Sequence, residues 1–323
     1  MKQLNEKIFI EVNGNKQGMF IQSKNIGNPV LLFLHGGPGS PEIMFTQEYP
    51  TGLEDLFTVC WWEQRGSGIS YRKNVSRETM TINQMIADTL FVVSYLRERF
   101  SKEKIFIMGH SWGTLLGILT VQKSPELFQA YIGIGQMNQQ IESERLAYKY
   151  MLNEFRTRGD KKMIKKLEKV PINQGAKVEI AYLSVRNAAM MKLGIGLMRQ
   201  CRSVMSIGGI LIRFKGYKLM DKVRFMKGNS FALNCLWDII LQKNLEKEVP
   251  RLEVPIYVLH GQFDYQVSYS LSKQFVKNIK APVVGFYTFE NSAHSPCFEE
   301  PEKMCRILRE DVLYNKTDLA DNL

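Results

Sequence analysis

Ser111 stands in the run Gly109-His110-Ser111-Trp112-Gly113, directly after the apolar stretch 105–108 and directly before a helical pattern over 112–122. A G-x-S-x-G pentapeptide between a strand and a helix points to nucleophilic catalysis. Glycines two before and two after the serine permit a tight turn that lifts Oγ out of a sheet. The competing reading is a serine that only N-caps the helix. A serine hydroxyl is a weak nucleophile until a base takes its proton, and the chain has four histidines to choose from. His35 and His110 lie inside strand-end motifs, and His260 closes an apolar run. His294, in Glu290-Asn291-Ser292-Ala293-His294, follows the last apolar run in a loop that can reach back over a sheet, and it is the expected base. The acid that orients it is expected just beyond the preceding strand. Asp264, in His260-Gly261-Gln262-Phe263-Asp264, satisfies that, although it also fits a turn role; Asp238 is the reserve. An oxyanion needs backbone N–H donors. Trp112 offers one, and the glycine-rich run His35-Gly36-Gly37-Pro38-Gly39 offers another, Gly37 first and Gly36 second.

These residues need a scaffold. Near-continuous apolar runs at 30–34, 56–62, 105–108, 130–134, 256–259 and 284–289 read as strands buried on both faces of a parallel sheet. Residues 81–100 have helical periodicity behind a capping Thr81, and 112–122 and 301–313 also read as helices. Residues 7–12 and 19–22 flank Asn13-Gly14-Asn15 and predict an opening antiparallel hairpin. The fold class is therefore α/β, a mainly parallel central sheet flanked by helices. Its ligands belong at the carboxyl ends of the strands, where every conspicuous motif lies.

Residues 138–245 break the alternation and read as an inserted helical cap over a core of 1–137 and 246–323. The charge supports a separate unit. The chain carries +11 overall, yet 138–250 alone holds 22 Lys and Arg against 10 Asp and Glu, so the remainder is close to neutral. Residues 188–228 mix Lys and Arg with Gly, Ile, Leu and six methionines from Met190 to Met226. That stretch fits an adaptable apolar ceiling for an acyl group or weak attachment to an anionic membrane surface. The preferred reading is an apolar face packed on the core beneath a solvated basic one.

Other chemistries find no support. Five widely spaced cysteines without a CxxC pair argue against a disulfide framework or a zinc site. The glycines at 36–39 lack dinucleotide spacing, and proline removes an N–H that a phosphate would use. No metal or cofactor is expected. The basic balance comes without a recognition module, so nucleic acid is not an expected partner. The amino-terminal residues do not form a signal peptide, and no apolar stretch is long enough for stable membrane insertion. The expected partner is a small-molecule or short-peptide substrate, and the expected location is the cytoplasm.

The motifs together resemble the α/β-hydrolase fold, in which Ser…Asp…His is the chain order, and within it the proline iminopeptidase-like serine hydrolases. The resemblance rests on His35-Gly-Gly-Pro-Gly-Ser40, Trp62-Glu-Gln-Arg-Gly-Ser-Gly68, Gly109-His-Ser-Trp-Gly-Thr114, Gly261-Gln-Phe-Asp264 and Asn291-Ser-Ala-His294. It spans roughly 30–137 and 246–313. It implies hydrolysis of an amide or ester through an acyl-enzyme, and an aminopeptidase that holds the substrate's free amine with cap carboxylates. Glu142, Glu144 and Glu154 are the candidates for that role. The chain departs from the family at Glu63, where aspartate is usual, and at His110, where glycine is common. A carboxylesterase or lipase of apolar esters is the alternative reading, and a catalytically silent binding protein on a hydrolase scaffold is a more distant one. Ser111 argues against epoxide hydrolase and dehalogenase chemistry, which use an aspartate nucleophile.

Overall fold

The computed structural model describes residues 2–172, 178–201 and 203–323. The chain opens with the hairpin β1 (Leu4–Val12) and β2 (Asn15–Ser23), whose turn puts Asn13 and Gly14 at positive φ. Both central residues at positive φ match the right-handed twist of the paired strands. Then follow β3 (Val30–Leu34), α1 (Leu53–Leu56), β4 (Thr58–Trp62), α2 (Ile82–Arg99), β5 (Ile105–His110), α3 (Trp112–Lys123) and β6 (Phe128–Ile134). The expected strand at 56–62 is shorter than its apolar run, because residues 53–56 close a helical turn instead. Beyond the helical stretch described below come β7 (Ile256–Gly261), α10 (Tyr269–Asn278), β8 (Val284–Phe289), α11 (Pro296–Glu299) and α12 (Pro301–Glu310).

The strands form one sheet in the order β1-β2-β4-β3-β5-β6-β7-β8. Every pair from β4 to β8 is parallel, and the hairpin joins antiparallel at one edge. Strands β3, β4, β5 and β7 are buried along their whole length. That explains why their sequences run apolar instead of alternating: helices cover both faces. Helix α2 starts where Thr81 accepts a hydrogen bond from the Gln84 amide, as its sequence predicts.

A buried polar knot fastens the hairpin to the β4 loop. Arg65 forks onto the Asp88 carboxylate with Nε at 2.7 Å and Nη2 at 3.0 Å, and Asn13, Gln17 and Gln84 donate to the same group. A charge buried this deeply is stable because each of its lone pairs is satisfied.

Between β6 and β7 lie α4 (Gln140–Thr157), α5 (Lys161–Glu168), α6 (Ile180–Leu193), α7 (Val204–Arg213), α8 (Leu219–Leu241) and the short α9 (Leu245–Glu248). Residues 173–177 and 202, within the expected cap, lie outside the described residues. The helices sit over strand ends. The Gln140 amide on α4 donates to the Gln266 carbonyl in the loop after β7. On α8, Gly228 packs against the Gly66 backbone and Asn229 bonds the Ser40 hydroxyl. The stretch also has apolar clusters of its own, one of them joining Met151, Phe155, Met163, Leu167 and Met190. The six methionines divide. Met190, Met191 and Met198 are buried, while Met205, Met220 and Met226 are exposed. The expectation of a wholly packed apolar face therefore fails at α7 and at the start of α8.

Candidate active site

Ser111 occupies the turn from β5 to α3 with φ 54° and ψ −119°, a conformation rare for a residue with a side chain. A Cβ on Gly109 would lie 2.2 Å from the Gly113 carbonyl oxygen, and one on Gly113 only 2.0 Å from that of Leu34. Glycine is thus required on both sides of the turn. Although Ser111 takes the N-cap position of α3, its side chain makes no capping hydrogen bond. The N-cap reading of this serine is not met.

His294 and Asp264 come from loops after β8 and β7, and both are buried. His294 Nδ1 lies 2.7 Å from Asp264 Oδ2. Asp264 Oδ1 accepts from the amides of Gln266 and Val267 at 2.9 Å each, so the carboxylate also holds its own turn. Burial raises the Asp264 pKa, but its interaction with His294 and the hydrogen bonds from His260 and His294 outweigh it and hold the carboxyl well below its usual range. For His294, desolvation dominates and lowers the pKa from 6.5 despite the opposing pull of Asp264. The imidazole is therefore neutral at pH 7. Its Nε2 is buried and has no hydrogen-bond partner among the described residues, so it is not bonded to Ser111 in this conformation. Catalytic contacts of this kind often close only when substrate is bound.

Two histidines assigned no role from the sequence support this pair. His260 Nε2 sits 3.1 Å from Asp264 Oδ2 and 3.1 Å from the Val267 carbonyl oxygen. His110 Nδ1 faces Glu42 Oε1 at 2.7 Å, and its Nε2 faces the His294 carbonyl oxygen at 2.9 Å. His260 is signalled by its four-residue spacing from Asp264. Glu42 lies 68 residues from His110 along the chain, and only the fold brings them together.

The Gly36 amide donates to that same Glu42 Oε1 at 2.9 Å. Gly36, the second choice for an oxyanion donor, is therefore already engaged. Gly37, at φ 109°, shares the wall of a small cavity with Ser111 and Trp112. Gln140, Arg186 and Trp237 from the helical stretch close its far side. At about 20 Å³ the cavity holds little more than one water. None of the six methionines lines it, so the alternative reading of that stretch as a ceiling for an acyl group finds no support at this site.

The three glutamates part company. Glu154 pairs with Arg158 at 3.0 Å and Glu142 with Arg145 at 2.9 Å, both partly exposed. Glu144 is fully buried, ion-paired with Arg186 and hydrogen-bonded by Gln140 at 2.9 Å, two residues that line the cavity. Its second oxygen, Oε2, has no hydrogen-bond partner among the described residues. Asp238 is exposed on α8 and is not part of this cluster. Glu63 is buried, receiving the Tyr217 hydroxyl at 2.6 Å and the Ile69 amide at 2.5 Å. Desolvation pushes its pKa up to about 8.

Residues 29–301 match the family model described as the alpha/beta hydrolase fold. The chain belongs to this family. A probable aminopeptidase of Bacillus subtilis, YbaC, is 34% identical to this α/β hydrolase over 302 residues, covering 93% of each chain. A proline iminopeptidase of Saccharolobus solfataricus is 24% identical over 296 residues, covering 88% of this chain and 85% of its own. Among solved structures, the proline iminopeptidase of Mycobacterium smegmatis superposes with a TM-score of 0.69 at 17% identity, over 96% of this chain and 98% of that one. That likeness shows the fold. The chain is thus a hydrolytic enzyme of the proline iminopeptidase-like group, and no helix among the described residues is long and apolar enough to cross a membrane.

Proposed function

We propose that this hydrolase is a serine aminopeptidase that releases an N-terminal residue, proline foremost, from short peptides. The observation that carries the reading is the buried Asp264–His294 pair, with a neutral ring and an unengaged Nε2, beside the strained Ser111 turn. Ser111 Oγ attacks the scissile carbonyl carbon, and His294 Nε2 takes the hydroxyl proton. Asp264 holds the tautomer and stabilises the imidazolium. The amides of Trp112 and Gly37 receive the developing oxyanion. Collapse of the tetrahedral adduct breaks the C–N bond as His294 returns the proton to the leaving amine. Water then repeats the sequence on the acyl-enzyme, releasing the acid and freeing Ser111.

Specificity for a free amine is carried by Glu144. Its buried carboxylate lies behind Gln140 and Arg186 of the cavity wall and close to the Tyr182 hydroxyl, and a cationic nitrogen would reach Oε2 once the wall opens. The names of the B. subtilis and S. solfataricus relatives support an aminopeptidase. In this reading the helices between β6 and β7 form a cap, which must shift before a peptide can enter so small a cavity.

One observation favours the second reading, an esterase for apolar esters: Arg186 already pairs with Glu144, which weakens its pull on an amine. Parallel assays of proline β-naphthylamide and of p-nitrophenyl esters of increasing chain length separate the two. Strong amide cleavage supports the aminopeptidase, and ester cleavage alone rejects it. In both assays Ser111→Ala should abolish turnover; wild-type rates in that variant would reject the mechanism itself.

A further inference from the structure

Helix α7 and the start of α8 expose apolar side chains among basic residues. On α7, Met205 and Ile212 lie two turns apart on one side and are 86% and 70% exposed. A Cβ on Gly208, on the same side, would touch nothing within 4 Å. The opposite side, with Ile210 and Leu211, is buried in the core. On α8, Leu219, Met220, Val223 and Met226 follow helical spacing and are all exposed, Leu219 at 81%. The start of α8 is tied to the end of α7, where the Lys222 ammonium bonds the Ile212 carbonyl.

Charge says what covers this face. Residues 204–227 contain six Lys and Arg; Arg213 is paired with Glu48 and Arg224 with the single acid Asp221, which Lys7 also meets, leaving Lys215, Lys218, Lys222 and Lys227 as the basic excess. Lys215 and Lys218 are exposed in the link between the helices, and Lys227 is exposed one turn beyond Val223. Apolar side chains projecting from a basic rim suit a surface that is negative outside and hydrocarbon within. A second copy of the chain would bring the same positive rim against itself.

We propose that α7 and the start of α8 dock this enzyme reversibly onto an anionic lipid bilayer. Leu219, Met220, Met205 and Ile212 enter the headgroup region, while Lys215, Lys218 and Lys227 pair with lipid phosphates. Each lysine near such a surface contributes about fivefold in affinity, a contribution that salt screens. Docking does not rest on the hydrolytic reading, because the apolar face is separate from the Ser111 cavity. It bears on function all the same, since the far end of α8 supplies Trp237 to the cavity wall.

The test is flotation of the purified full-length protein with vesicles of phosphatidylcholine alone or mixed with phosphatidylglycerol. The protein should float with the mixed vesicles at low salt, remain behind with the neutral ones, and dissociate in molar salt. Lys215→Glu with Lys218→Glu should weaken binding by about tenfold or more. Leu219→Asp with Met220→Asp should abolish it. These positions face solvent, so ester or amide turnover in solution and far-UV circular dichroism should match wild type. Failure to float with either vesicle overturns the proposal, as does equal binding by the Asp variant. Salt-resistant self-association in the ultracentrifuge, lost in the Asp variant and without vesicle binding, assigns the face to a second copy and also overturns it.

Discussion

His110 Nδ1 lies 2.7 Å from Glu42 Oε1, and the other nitrogen of the ring faces the carbonyl oxygen of His294. Both nitrogens meet acceptors, so the ring is best satisfied as an imidazolium. Burial lowers its pKa, but the charge and hydrogen bond of Glu42 and the His294 carbonyl reverse that and raise it above 6.5. Glu42 also holds the Gly36 amide, so one carboxylate links the oxyanion loop, the nucleophile turn and, through His110, the loop of His294. A raised histidine stabilises the fold fully below its unfolded pKa and loses that contribution as pH rises through the folded value. Glu42→Gln should therefore destabilise the protein by about 2 kcal/mol at pH 6 and progressively less at higher pH. Urea unfolding across that range measures it. A pH-independent difference would exclude the charged pair.

Asp264→Asn keeps the size of the side chain but removes the charge that fixes the His294 tautomer. Turnover should fall by about 10⁴-fold with little change in KM. In the wild type, the acid limb of kcat/KM should lie below pH 6.5, because burial lowers the His294 pKa. A limb above 6.5 would mean that another group acts as the base.

Glu144 and Arg186 should respond differently to substitution. Glu144→Gln should raise KM for a prolyl amide by about tenfold to a hundredfold, since a charge-assisted bond to the amine is lost. Hydrolysis of p-nitrophenyl acetate, which has no amine, should change much less, the remaining effect coming from the broken pair with Arg186. Arg186→Met leaves Glu144 buried and unpaired, and about 3–5 kcal/mol of stability should go with it, read from thermal or urea unfolding. Parallel loss of amide and ester turnover in Glu144→Gln would remove the residue from amine recognition.

Glu63 presents the opposite linkage to a salt-bridged acid. Its folded pKa, about 8, lies above the unfolded 4.5, so stability is greatest below pH 4.5 on its account and declines up to about pH 8. Glu63→Gln should flatten that decline and leave the variant more stable than wild type at pH 9. A steeper decline in the variant would show that the carboxylate is folded in its ionised form.

The strands that carry the motifs were legible because buried parallel strands demand long apolar runs, and because only glycine tolerates the backbone contacts at 109 and 113. The same sequence logic selected the serine, histidine and aspartate that the fold draws to neighbouring strand ends. Helix spacing could not rank Glu142, Glu144 and Glu154, since all three lie on α4. Their roles depend on which neighbours face them. Arg186 arrives from 42 residues away to bury Glu144, while the other two pair locally near solvent.

Local sequence therefore determined the elements of this protein and the residue types at their ends, because backbone sterics and hydrophobic periodicity act over a few residues. The tertiary structure alone decided that His110 is held by Glu42, that Gly36 is not free, and that three of the six methionines from Met190 to Met226 point outward. Those outcomes depend on contacts between segments far apart in the chain, where burial and pairing set the charge and exposure of each side chain.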